Sequence, residues 1–470
     1  MAQPRTAATA QSAPRVQVIA PAALGATALA ALRARGIDAR LAETPDPPEQ
    51  GDIVAWALET TPTGAAVAEL AAACARAAAA GHPVCLLAPA PRSGGGRAGT
   101  ERAAALAYLR AHGAALGHDV DAWLEAVVLL ARHGLPRGPR AAVIAPPGSW
   151  LEAQVLLIVA EAETLGTRPP AINGDEPTDV VLYDPALGSP SSATPGLHVP
   201  IAPRGELAAD PFSLHAARAA LTAIHMLGRA AERIAVGLGP APASASAELG
   251  IDADRLKRQL GKLGAGRIGD HETKVLLSAY GVAITRQAVA TTPSAAVKLA
   301  RRAGYPVELK PWGHDLPTEP AGCPVERGVS SDALTRSAFA AVLAAAGKGN
   351  VEGAAVIVRE TPPAGREVSV SLRELPSVGW TVILDAPGTG QLAAPAPLRL
   401  IDAQTLAAQV AASRAGDPEP DRTGLANLLR RVSHLAVDLG DRLDRLDLPR
   451  VVVGGRGART LVIDAFAELA

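Results

Sequence analysis

The sequence predicts an α/β protein in which two doubly wound parallel sheets precede a mixed α+β module. Three observations predict it. Short apolar runs alternate with longer helical ones from residue 15 onward, as in RVQVIAP, ALGATALAALRARG, DIVAWALE, AAVAELAAACARAAAAG and HPVCLLAP, which is the rhythm of βαβ units. The strand runs are apolar throughout rather than alternating, as a parallel sheet covered on both faces requires. After the linker GLGPAPASASAELG, too rich in Gly, Pro, Ser and Ala to bury much surface, extended hairpin-like segments replace the alternation.

In chain order, residues 1–14 (MAQPRTAATAQSAP) read as a disordered tail, because they lack the apolar core of a signal peptide. The first βαβ domain spans 15–110 and closes after PAPRSGGGRAGT. The second, 111–236, starts with the helix DVDAWLEAVVLLARHG and the turn LPRGPR, which feeds the strand AAVIAP. It continues through SWLEAQVLLIVAEAETLG, DVVLYDP and LHVPIAP to the helix LHAARAALTAIHMLGRAAERI. Residues 237–250 are the linker. In 251–470 a small α/β lobe (DHETKVLLSAYG, VAITRQAVA, SAAVKLARRAG, PVELK) precedes the strands AAVIVRE and EVSVSLRELPSVGWTVILDA, a helical stretch, and the closing strands RVVVGG and TLVIDAF.

A chain of 470 residues exceeds one core and suggests about three domains. Lys+Arg 45 against Asp+Glu 46 leaves a net charge of −1, so no bulk field draws the protein to nucleic acid or an anionic membrane. Small molecules and proteins are the expected partners. The Ala-rich runs are interrupted by charges well short of the ~20 apolar residues of a membrane span. Three scattered cysteines without CxxC spacing argue against a zinc cluster or disulfide framework and fit a reducing, cytoplasmic location.

The candidate chemistry lies in the third part. Lys310 ends the strand PVELK, where an ammonium can reach the phosphates of a nucleotide. Next to it, VIVRE offers edge groups for an adenine at Val358 and Glu360, and PAGREVSV adds Glu367 for a ribose hydroxyl. An interior lysine closing a strand is nevertheless more often a surface residue than a ligand.

The order and spacing of ETKVLLSAYGV, SAAVKLARRAGYPVELK, VIVRETPPAGREVSV and VSHLAVDLGDRLDRLDL…TLVIDA resemble the ATP-grasp portion of the NDP-forming acyl-CoA synthetases, such as ADP-forming acetate-CoA ligase. HPVCLLAPAPRS and DAWLEAVVLLARHGLPRGPRAAVIAPPGS resemble that family's preceding α/β domains. The resemblance implies two flavodoxin-like doubly wound domains followed by an ATP-grasp module. It also implies phosphoryl transfer from an acyl phosphate, through a mobile phosphohistidine, to ADP, with ATP/ADP, Mg²⁺ and CoA as cofactors.

Several family features have no match here. The first strand already aligns with the domain after the family's CoA-binding Rossmann domain, so CoA would come from a partner subunit; a homo-oligomer is the other option. His112 in AHGAALGHD resembles the phosphohistidine locally, but the better register deletes that loop between about 95 and 106. Where the family has a motif like SPDLxHKTEVGGV, DLPTEPAGCPV puts Thr318 at the His, Glu319 at the Lys and Cys323-Pro324 where glycine amides belong. His314 would replace the missing histidine only on a re-routed loop. Arg445 and Pro449 stand at the metal-proximal Glu and Asn, leaving Asp464 as the matched metal carboxylate. Mg²⁺ needs hard oxygen ligands. Three readings therefore stand: a degenerate nucleotide-binding, regulatory or scaffold subunit; a working acyl-CoA ligase with a partner chain; and another ATP-grasp ligase joining a carboxylate to an amine.

Overall fold

The structure is a computed structural model that describes residues 14–43, 52–89, 96–165, 171–172, 178–188, 190–191, 194–202, 212–317, 322–349, 351–410, 419–455 and 457–470. The proposed tail, apart from Pro14, lies outside the described residues, as do Thr318 and Glu319. The chain divides into two compact units, Met1–Arg92 with Tyr108–Gly239, and Ser93–Ala107 with Pro240–Ala470.

The first unit opens with β1 (Val16–Ile19), α1 (Ala22–Ala34), β2 (Ala39–Leu41), β3 (Ile53–Ala57), α2 (Ala65–Ala79) and β4 (Cys85–Leu87). Helix α3 (Arg97–Ala111), which falls in the second unit up to Ala107, comes next in the chain, and β5 (Ala115–Gly117) returns to the first unit. The strands pair in parallel in the order β2-β1-β3-β4-β5, and all four residues of β1 are buried, as their unbroken apolar run demands. This sheet continues beyond residue 110, because β5 pairs with β4 through Cys85↔Ala115. ALG is too short to announce a strand by itself.

Helix α4 (Val120–His133) starts at Asp119, whose carboxylate accepts a hydrogen bond from the Ala122 amide at 2.7 Å. A second parallel sheet is built from β6 (Ala141–Ile144), β7 (Ala171–Ile172), β8 (Val180–Tyr183), β9 (Leu197–Ala202) and β10 (Leu214–His215), in the order β10-β9-β8-β6-β7. Helices α5 (Trp150–Leu165) and α6 (Ala217–Val236) complete it. One apolar core runs through both sheets by way of α4 and α6. Within it Trp123 is fully buried and donates its indole N–H to the Cys85 carbonyl at 2.8 Å, so a large apolar body brings no unpaired donor inside. Gly228 of α6 lies so close to the backbone at Gly138 that a Cβ would sit 2.4 Å from the Gly138 carbonyl carbon. No other residue fits there.

The second unit contains α7 (Ala253–Leu260), β11 (Gly266–Ile268), α8 (Asp270–Ala279), β12 (Gln287–Ala290), α9 (Pro293–Ala303), β13 (Val307–Trp312), β14 (Glu326–Val329), α10 (Asp332–Ala345) and β15 (Ala355–Glu360). Thr292 caps α9 with Pro293 in its first turn, and Ser331 caps α10. Strands β12-β15-β13-β14 form a four-stranded antiparallel sheet, with α9 and α10 packed on one face. Then come β16 (Arg366–Leu375), β17 (Gly379–Ala386), β18 (Gly390–Pro395), α11 (Leu400–Ala408), α12 (Arg422–Ser433), α13 (Leu435–Leu439), β19 (Leu443–Val453) and β20 (Leu461–Leu469). They build a six-stranded antiparallel sheet, β11-β20-β19-β16-β17-β18, over the second large core. The expected fold class holds: parallel α/β sheets, then antiparallel sheets.

Candidate functional site

Strand β13 alternates. Val307 and Leu309 enter the core beneath α9 and α10, and period-2 geometry turns Glu308 and Lys310 to the other face. On β15 the partners of Glu308 and Lys310 are Arg359 and Ile357. Glu308 and Arg359 stand directly opposite and form a buried ion pair, with Arg359 Nε 3.0 Å from Glu308 Oε2.

Helix α8 brings Asp270 and Lys274, one turn apart, to the same place. Lys274 is fully buried, and its ammonium donates to Asp270 (3.2 Å), Thr285 (3.0 Å), Gln287 (2.8 Å) and the Ile463 carbonyl (2.7 Å). Strand β20 adds Asp464, and Lys310 Nζ lies 2.6 Å from its Oδ1 and 3.3 Å from Asp270 Oδ2. The Ala465 amide donates to the other Asp270 oxygen at 3.0 Å. Three acids (Asp270, Asp464, Glu308) and three bases (Lys274, Lys310, Arg359) thus form one buried network.

Burial alone would push the Asp270 carboxyl up; the charges of Lys274, Lys310 and Arg359 overcome it and hold Asp270 well below the usual carboxylate range. For Lys274 burial dominates and lowers the ammonium to about 8, against the opposing field of Asp270. The space beside Lys310 is a cavity of about 20 Å³, room for about one water.

Of the residues singled out in the sequence, Lys310 and Asp464 come together in an ion pair, and Lys310 is buried rather than at an open cleft mouth. The two aspartates that draw it inward are the physical reason. The expected edge for an adenine on VIVRE does not exist, because β15 is paired on both sides, with β12 and β13, and Val358 is buried on its helix-packed face. Glu360 receives Arg286 at 2.6 Å, and Glu367 is engaged by Arg450 at 2.8 Å. His314 Nδ1 accepts from the Gly269 amide at 3.0 Å. His112, in the first unit, bonds through Nδ1 to the Tyr108 carbonyl at 2.8 Å, and burial pulls its pKa below that of an ordinary imidazole.

Asp270, Lys274, Glu308 and Arg359 are site residues that sequence reasoning missed. Their signal was present: a charge inside an apolar strand, as in PVELK and VIVRE, and an Asp and Lys four apart on a helix, call for buried partners. Among the described residues no group of three or more His, Cys, Asp or Glu is arranged to hold a metal ion. Asp270 and Asp464, the carboxylates facing the cavity, already share the Lys310 ammonium. A divalent cation does not fit this donor set without expelling a lysine.

The fold and site define the class: residues 261–469 match the ATP-grasp domain family, and the second unit holds an ATP-grasp domain. The chain is similar to the beta subunit of ADP-forming acetate-CoA ligase II of Pyrococcus furiosus, with 25% identity over 209 residues, 42% of this chain and 89% of that protein. It is also similar to ADP-forming 4-hydroxybutyrate-CoA ligase of Nitrosopumilus maritimus, with 24% identity over 211 residues, 42% of this chain and 30% of the relative. Among solved structures, dinucleotide-forming acetyl-coenzyme A synthetase 1 of Ca. Korarchaeum cryptofilum, in complex with coenzyme A, Ca-AMPCP and HgCl+, is 24% identical. That match covers 46% of this chain and 99% of that one, with a TM-score of 0.41. No helix among the described residues is long and apolar enough to cross a membrane.

Proposed function

We propose that this chain is a remodelled relative of the ADP-forming acyl-CoA ligases that serves as a nucleotide-binding, regulatory or scaffold subunit and does not carry out metal-assisted phosphoryl transfer. The observation that supports this reading best is Lys310 between Asp464 at 2.6 Å and Asp270 at 3.3 Å. The cation suited to a phosphate and the carboxylate suited to a metal neutralise each other. A nucleotide phosphate must compete with two buried carboxylates for that ammonium, and Mg²⁺ must compete with the ammonium for them. Binding of ATP or ADP is therefore weak and insensitive to Mg²⁺.

Calorimetric titration of ADP and ATP, with and without Mg²⁺, tests this. The expected result is weak binding that Mg²⁺ leaves unchanged and Lys310→Ala weakens further. Tight, Mg²⁺-dependent binding overturns the reading. With radiolabelled ATP the protein acquires no acid-labile, base-stable phosphoryl group; labelling that disappears in His112→Ala would restore a phosphohistidine.

A second reading has one observation in its favour. The Pyrococcus furiosus relative, 89% of whose length is matched, is named as a subunit. In that reading this chain supplies the ATP-grasp part of an acyl-CoA ligase, and a partner subunit brings the CoA-binding domain and the phosphohistidine. Formation of ATP from ADP, phosphate and an acyl-CoA by a co-purified complex, but not by this chain alone, is its signature.

A further inference from the structure

Residues 313–317, which follow β13, lie across the cavity at Lys310. Gly313, Leu316 and Pro317 line that cavity together with Gly269, Lys310 and Asp464. The approach is close: a Cβ on Gly269 would stand 2.9 Å from the Gly313 carbonyl oxygen, so a side chain there would lift the segment away.

Three contacts fasten the segment. The Gly269 amide donates to His314 Nδ1 at 3.0 Å, Arg267 Nη2 donates to the Leu316 carbonyl at 2.9 Å, and Lys348 Nζ donates to Asp315 Oδ1 at 2.8 Å. Asp315 is exposed, and an exposed ion pair holds little. Just before the segment, the Trp312 indole donates to Glu272 Oε1 at 3.0 Å, and its ring meets the His314 imidazole edge-on with centroids 5.9 Å apart.

Of these fastenings, only the one at His314 is reversed by a proton near neutrality. Nδ1 accepts from an amide only while it carries no hydrogen, whereas in an imidazolium both nitrogens are donors and two N–H groups would face each other. His314 is exposed, so its proton comes directly from water. The charged groups around it are Glu272 on α8, Arg267 on β11, Asp315 on the same segment and Lys348 beyond α10, with Lys310, Asp270 and Asp464 across the cavity. Lys348 holds the Asp315 carboxyl below the usual carboxylate range, and the charge of His314 adds to that pull. Glu272 Oε2 is buried with no hydrogen-bond partner among the described residues. A protonated imidazole therefore has acids to turn to once it leaves Gly269.

We propose that residues 313–317 are a proton-released strap over the Lys310 cavity: neutral His314 holds the strap down on Gly269, and protonation of His314 lets it go. The strap adds regulation to the Lys310 site and rests on the proposed function only for what its opening admits.

Labelling of Cys323 with a small maleimide tests this without any ligand, because Cys323 lines the same cavity while Cys74 and Cys85 are fully buried. The parent, His314→Ala and His314→Asn are compared at one pH at a time, which cancels the titration of the thiol. The asparagine amide oxygen accepts from Gly269 but does not titrate. At about pH 8 the parent and His314→Asn label slowly, and His314→Ala labels about fivefold faster or more, the equivalent of about one lost hydrogen bond. At about pH 5.5, below the ordinary imidazole range, the parent joins His314→Ala while His314→Asn stays slow. A parent that stays with His314→Asn in acid, a His314→Asn that labels as fast as His314→Ala, or equal rates throughout would overturn the proposal. ADP titration of the same three chains in acid separates the strap from the wider reading. If the strap is released as expected but the parent binds ADP no tighter than His314→Asn does, the strap stands and Lys310 is not a cation for phosphate.

Discussion

Each unit buries a cluster of charged side chains, and the two clusters shift their carboxylates in opposite directions. In the first unit Arg35 meets Glu125 through two hydrogen bonds, at 3.0 and 2.6 Å, and the His215 amide donates to the same carboxylate at 2.9 Å. Burial nevertheless wins there, and the Glu125 carboxyl is pushed up. In the second unit Asp270 is just as enclosed, yet three cations hold it down. One guanidinium does not repay the loss of water around a buried carboxylate, whereas two ammoniums and a guanidinium do. The Glu125 pair is a brace. The Asp270 network instead sets three cations around one carboxylate.

The comparison breaks first at Lys274. Lys274→Met leaves Asp270 without its nearest cation and removes one of the two donors to the Ile463 carbonyl, and should cost about 3–5 kcal/mol, the usual penalty for breaking a buried pair. Urea unfolding followed by a second-unit reporter such as Trp312 would show it; a loss below that of an exposed pair would mean that water enters the network. Glu125→Gln should cost less, about 2 kcal/mol, because the amide oxygen still accepts from Arg35.

Acid should separate the clusters by sign. Asp270 has a folded-state value below its unfolded one, so its contribution is fully present above the unfolded carboxylate range, at about pH 4, and is lost as pH falls below it. Glu125, raised on folding, takes up its proton earlier in the folded state, so its burial cost is relieved as pH falls toward that range. Hydrogen exchange resolved by unit between pH 7 and 3 should show the second unit losing protection more steeply, and Asp270→Asn should flatten that slope. An equal slope in the variant would mean that other carboxylates carry it. The smallest effect belongs to the half-exposed Glu367–Arg450 pair: Arg450→Ala should change stability by less than about 1 kcal/mol.

Much of the architecture was legible. RVQVIAP and DIVAWALE become β1 and β3 because nearly continuous apolar runs have few alternatives to a covered strand, and PVELK and VIVRE become β13 and β15 on their short β-branched and apolar cores despite the charges they carry. Strands such as β5, with three residues, and β7, with two, escaped because their identity comes from the neighbour they pair with rather than from any pattern of their own. At the site, Lys310 and Asp464 could be matched one by one, but not their mutual contact, since 154 residues separate them. Burial of Lys310 followed from Asp270 and Asp464 converging on it, which a linear reading does not display.

The Ile463 carbonyl accepts from both Lys274, at 2.7 Å, and Arg359 Nη1, at 2.9 Å. One oxygen of the six-stranded sheet is thereby clasped by a helix and by the four-stranded sheet at once. Parting the two sheets requires Arg359 to release this oxygen and Lys310 to release Asp464 on the next residue of the same strand, so the jaws of this domain release as a latch does, all together, rather than easing open by degrees.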